Sequence, residues 1–130
     1  MATDQERMEA GLKVRKEVLG AENVERTLSA ADDYTGPWQD YVNRACWGEV
    51  WTRPGIDART RSMLTLAILA TLGKSTELQS HTRGAFNNGC SVEDIQEVFF
   101  HVAVYAGVPA AFDAFRSTQA VVKEAAPKEQ

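Results

Sequence analysis

The chain has 130 residues, one domain's worth of sequence and too little for a catalytic domain plus a separate binding domain. Fourteen Lys+Arg against 18 Asp+Glu give a net charge of −4, which argues against a nucleic-acid partner, since displacing phosphate counterions takes clustered cation. Leu, Ile, Val and Phe total 28 residues and alanine 18, so the core is modest, built from small side chains, and expected to be completed by burial between subunits.

Residues 4 to 19 are expected to form a first amphipathic helix, with Met8, Leu12, Val14, Val18 and Leu19 near helical spacing and Gly20 as its stop. Residues 22 to 31 read as a short second helix. Thr35-Gly36-Pro37 marks a break before a third helix from Trp38 to about Trp47. A loop follows, Trp51-Thr-Arg-Pro-Gly-Ile56, presenting Trp51 and Arg53 on irregular backbone.

Asp57 is placed to cap a helix over 58 to 72, closed by Gly73. Its run Met63 to Leu72 is apolar but too short to cross a bilayer, which takes about 20 residues, and reads as a buried helix. Thr76 and Gln79 have capping-box spacing for a helix running through His81 to Asn87-Asn88-Gly89, whose end calls for a left-handed residue. Ser91 caps the next helix, with Glu93 and Asp94 at its positive end and Val92, Ile95, Val98, Phe99, Val102 and Tyr105 as an apolar stripe. Gly107-Val108-Pro109 breaks it, and a last helix spans Ala110 to about Glu124 before a fraying tail, 126–130. The fold class is all-α, a single domain over 1–130 of about six to seven helices. The N-terminus lacks a secretory pattern, and Cys46 and Cys90 have neither redox-pair nor metal-ligand spacing. A cytoplasmic, reduced protein is expected.

Two histidines offer acid–base chemistry. Glu77 and His81 stand four apart on one helix, so the carboxylate can orient the imidazole and raise its pKa, or the two can form only a solvated surface pair. His101, among Phe99, Phe100 and Val102, reads first as a packed residue and second as a catalytic candidate. Arg83 is about 200° round the helix from His81, suited to a salt bridge with another helix or subunit. Arg53, Arg59 and Arg61 follow Trp47 and Trp51 closely. Such a group can hold a dicarboxylate through guanidinium forks against indole walls, or merely solvate a helix start. No phosphate loop, serine triad or metal cluster is present, and Glu77 with His81 supplies only two ligands where catalytic zinc generally takes three.

The strings Gly11-Leu-Lys-Val-Arg-Lys-Glu-Val-Leu-Gly20, Trp47-Gly-Glu-Val-Trp-Thr-Arg-Pro-Gly55, Glu77-Leu-Gln-Ser-His-Thr-Arg-Gly-Ala85, Asn88-Gly89 and Tyr105-Ala-Gly-Val-Pro-Ala-Ala111 resemble the gamma-carboxymuconolactone decarboxylases of the protocatechuate branch of the β-ketoadipate pathway. The likeness runs from about residue 8 to 120. It implies an AhpD-like helical fold, assembly into homotrimers or homohexamers, and decarboxylation of a lactone dicarboxylate without a cofactor or metal, with no membrane or nucleic-acid partner. His81 is then the acid or oxyanion donor and Glu77 its orienting partner. Arg53 or Arg83 would hold a carboxylate, and Trp47, Trp51 and Tyr105 would line the pocket.

Thiol peroxidases of the wider superfamily carry Cys-x-x-Cys-x-x-x-His. Aligned on His81, those cysteine positions hold Lys74 and Glu77. The redox pair is missing, so peroxidase chemistry is the weaker alternative, as is a non-catalytic helical interaction module.

Overall fold

The computed structural model describes residues 1–128, which are helical with no strand among them. Seven α-helices follow in order: α1 (Asp4–Leu19), α2 (Ala21–Ser29), α3 (Gly36–Tyr41), then, after a π-helical segment (Val42–Val50), α4 (Ala58–Leu72), α5 (Ser75–Asn87), α6 (Val92–Ala106) and α7 (Val108–Ala125). They form two compact units, the first ending at Ile56 and the second starting at Asp57.

In the first unit, α1 packs along the π-helix, with α2 against α1 and α3 against the π-helix. Thr3 caps α1 by accepting from the Glu6 amide, and Gly20, at φ 90°, ends it and opens α2. The buried face of α1 differs from the expected apolar stripe. Gly11, Arg15 and Val18 are buried, whereas Met8, Leu12, Val14 and Leu19 are only half-buried. Gly11 decides this, because it lies against the backbone of Asn43 and Gly48 and brings the helices close enough to enclose that face. The second helix ends at Ser29, short of residue 31. The third starts at Gly36 and does not stop near Trp47. Its backbone continues as the π-helix to Val50, an i→i+5 geometry that hydrophobic periodicity does not report.

In the second unit, α4 packs on α5, α6 and α7, and α7 packs on α5 and α6. Leu66, Leu78, Ala85, Phe86, Ile95, Phe99, Val102 and Ala114 anchor the core. Asp57 caps α4 through the Thr60 amide at 2.7 Å, and Gly73 closes it in the left-handed conformation. Gly89, at φ 91°, supplies the left-handed turn after α5. Ser91 and Asp94 form a reciprocal capping box on α6.

Two boundaries in this unit differ from expectation, as does the burial of two segments. α5 starts at Ser75 with Lys74 as N-cap and no side-chain cap, so Thr76 and Gln79 make no capping box, and Gln79 donates instead to the Ser117 carbonyl. The turn at Gly73 leads directly into the helix, leaving Thr76 inside the first turn. α7 begins at Val108, because Gly107, at φ 106°, makes the whole break and proline is tolerated in a first turn. The run Met63–Leu72 is not wholly buried, since Leu64, Ile68 and Leu72 are 52%, 57% and 62% exposed. Likewise Tyr105 does not join the buried stripe of α6 and is 79% exposed. Of the tail, Pro127 and Lys128 lie past the helix end, and residues 129–130 lie outside the described residues. No helix among the described residues is long and apolar enough to cross a membrane.

Candidate active site

Glu77 and His81 occupy successive turns of α5 and face the same way, Glu77 exposed and His81 half-buried. The helix is held at this point by Thr82, which is fully buried and donates to the Leu78 carbonyl at 2.7 Å. Imidazole and carboxylate therefore project from a rigid element. Arg83 points elsewhere. Its guanidinium spans to α7 and meets both oxygens of Glu124, at 3.0 and 3.3 Å.

In the first unit the indoles of Trp47 and Trp51 stack at 4.9 Å, with Trp47 only 3% exposed. The π-helix ends at Trp51, and Arg53 follows in the turn, exposed. Arg59 is not part of an anion-binding group. It pairs with Asp94 at 2.6 Å, tying the start of α4 to the cap of α6. Asp94 thereby accepts from Ser91 and from Arg59, which hold its carboxyl below the ordinary range, the Ser91 backbone contact contributing most.

Tyr105 lies in a groove of ≈ 630 Å³ between α4 and α6. Its floor is Met63, Ala67, Val98 and Val102. Glu97, His101 and Tyr105 line its α6 wall at i, i+4 and i+8, and the His101 and Tyr105 rings lie 4.8 Å apart. His101 is exposed rather than packed in the core. The secondary histidine of the sequence is thus the one beside Tyr105, in a groove that His81 does not line.

Neither cysteine has the character of a reactive thiolate. Burial pushes both thiols up, with nearby arginines, Arg15 for Cys46 and Arg59 for Cys90, only partly opposing it. No group of three or more His, Cys, Asp or Glu side chains able to hold a metal occurs among the described residues.

Residues 36–120 match the model of the carboxymuconolactone decarboxylase family. The chain belongs to the carboxymuconolactone decarboxylase family. Within it, the chain is 41% identical to a 4-carboxymuconolactone decarboxylase of Acinetobacter baylyi over 93% of its own length and 90% of that protein's. It is 43% identical to a nitrosuccinic acid decarboxylase of Metarhizium robertsii over 91% of its length and 82% of that protein's. A 4-carboxymuconolactone decarboxylase sequence from Pseudomonas putida is 35% identical over 35% of this chain and 96% of that sequence.

Proposed function

We propose that the chain is a 4-carboxymuconolactone decarboxylase, converting the lactone to β-ketoadipate enol-lactone and CO2 in protocatechuate catabolism. The similarity to the Acinetobacter enzyme across nearly the whole of both chains carries this reading. The substrate's ring carboxylate is vinylogous to the lactone carbonyl. When its carbon–carboxylate bond breaks, the electron pair forms a new ring double bond, and the old one shifts toward the carbonyl. The resulting dienolate takes one proton at the carbon α to that carbonyl. The substrate is its own electron sink, so the reaction needs no cofactor.

The protein's part is to stabilise the developing oxyanion, hold the acetate carboxylate and deliver the proton. His81 is the proton or oxyanion donor and Glu77 its orienting partner. Arg53 or Arg83 holds a carboxylate, Arg83 only by releasing Glu124, and Trp47 and Trp51 provide apolar walls, whereas Tyr105 belongs to the separate groove between α4 and α6.

A second reading has support in the Metarhizium relative. Nitrosuccinic acid carries a carboxylate on the carbon bearing its nitro group, so loss of CO2 leaves a nitronate that a proton then quenches. Both reactions ask the same of a pocket: anchor one carboxylate, expel another, protonate a delocalised anion. Supplying each acid to the purified protein and following CO2 release distinguishes them.

Assembly as a homo-oligomer belongs to the same reading, trimeric or hexameric by family resemblance. Leu64, Ile68 and Leu72 form an exposed stripe on α4, and Phe100, Val104 and Phe112 are more than half exposed on α6 and α7. Apolar surface of that extent on one unit favours burial against another copy. Sedimentation of the chain and of Ile68→Glu tests it, with smaller particles expected for the variant. A cytoplasmic location and the absence of nucleic-acid partners complete the proposal.

A further inference from the structure

Among the described residues Arg15 is the buried charged one, 8% exposed on the inner face of α1. Both of its hydrogen bonds leave from one nitrogen. Nη1 donates to Asn43 Oδ1 at 2.8 Å and to Gln39 Oε1 at 3.0 Å. Nε is fully enclosed and has no acceptor. Nη2 donates to no described residue and, unlike Nε, keeps contact with solvent. No carboxylate pairs with this guanidinium among the described residues. Two amide oxygens satisfy donors but supply no countercharge, and burial works against the charged form.

That arrangement is costly for a structural residue. A buried cation is ordinarily compensated by an anion, and a guanidinium serving only to brace helices would spread its donors over the available carbonyls. Here the amides grip one corner and fix the plane of the group. The edge left over, Nε with Nη2, is the one whose two parallel N–H bonds match a carboxylate. The support is rigid. Gly11, one turn earlier on α1, lies against the backbone of Asn43 and Gly48, and Asn43 belongs to a π-helix, a geometry frequent at functional sites. Trp47 is four residues beyond Asn43 on the same element.

We propose that Arg15 is a carboxylate-binding residue: Nη2, which reaches solvent, donates to one carboxylate of a small organic acid, and the acceptor-less Nε joins it as the atoms enclosing that edge give way. Asn43 and Gln39 are its positioning residues. Neither Arg53, exposed in a turn, nor Arg83, held by Glu124, presents a buried and pre-oriented edge of this kind. That the acid is the decarboxylation substrate rests on the proposed function; that Arg15 holds a carboxylate does not.

The test is thermal unfolding of the full chain at neutral pH in millimolar sodium succinate against sodium chloride of equal ionic strength, for the parent, Arg15→Met and Arg15→Lys. Succinate is expected to raise the parent's Tm above its value in chloride. Arg15→Met loses that increment while its Tm in chloride stays level or rises, because an uncompensated buried charge has gone. Arg15→Lys keeps the charge without the fork and retains only part of the increment. In turnover, Arg15→Lys raises KM roughly tenfold with a smaller effect on kcat, on the scale of one charged hydrogen bond. An equal Tm for the parent in both salts overturns the proposal, as does a full succinate increment in either variant. Should Arg15→Met not fold, the parent and the lysine variant decide the matter. A succinate response without decarboxylation leaves Arg15 standing and sinks the functional reading, and decarboxylation without a succinate response does the reverse.

Discussion

Gly11 of α1 and Gly48 of the π-helix face each other with no room for a side chain on either. A Cβ built on Gly11 would stand 2.6 Å from the Gly48 nitrogen and closer still to the Asn43 carbonyl oxygen, and one on Gly48 would run into the Arg7 carbonyl. These are backbone atoms that cannot rotate away. Gly11→Ala and Gly48→Ala are therefore expected to destabilise the chain by about 1–3 kcal/mol each, the scale of overpacking, and to displace Arg15 from Asn43. Chemical denaturation of both variants checks this; a loss below a few tenths of a kcal/mol in either would show that the helices can part.

His81→Ala is expected to lower kcat by about 10²- to 10⁴-fold, the usual contribution of a placed proton donor, with Tm nearly unchanged because the side chain is only half-buried. Glu77→Gln falls between parent and His81→Ala, since it removes orientation and leaves the imidazole. Steady-state kinetics decides: kcat of His81→Ala within about twofold of the parent removes His81 from the mechanism.

Arg83→Ala and Glu124→Ala separate two roles for one guanidinium. The pair is exposed and contributes little to stability, so both variants should melt close to the parent. If Arg83 anchors substrate, Arg83→Ala raises KM whereas Glu124→Ala, by freeing the fork, lowers it or leaves it alone. Equal KM in both variants, with Arg53→Ala also unchanged, excludes these two arginines as the anchor.

Asp94 gives the fold an acid-sensitive joint. Its hydrogen bonds from Ser91 and its contact with Arg59 lower its pKa in the folded state. The stability it contributes is present above the ordinary aspartate pKa of 3.8 and is lost as pH falls from there through the lower folded pKa. Tm should drop over that interval, and Asp94→Asn, already less stable at neutral pH, should show a shallower decline. Parallel slopes for parent and variant would contradict this.

Much of the fold was legible because helix punctuation is local. Asp57, Ser91, Gly20, Gly73 and Gly107 each sit where a cap or a positive φ is required, and each does that job. The π-helix was not legible, since its i→i+5 backbone carries the same residues an α-helix would. Nor was the inner face of α1: a glycine and an arginine do not read as core until the opposing helix is known. The face was nonetheless written in the spacing of Gly11, Arg15 and Val18 at i, i+4 and i+7, the signal that points to Arg15. For the candidate site, the shared face of Glu77 and His81 and the nearness of Trp47 to Trp51 follow from spacing, whereas the engagement of Arg83 with Glu124, 41 residues on, and of Arg59 with Asp94 depends on tertiary packing.

Neither thiol belongs to the proposed machinery, so alkylating the purified protein should leave turnover intact, against the loss expected of a disulfide-using peroxidase. The most direct measurement is simpler: incubating the purified chain with 4-carboxymuconolactone and quantifying CO2 and enol-lactone together. The account predicts stoichiometric release of both, with no added cofactor and with the rate falling at least about 10²-fold in His81→Ala. Substrate recovered unchanged, with CO2 at the uncatalysed rate, would contradict it.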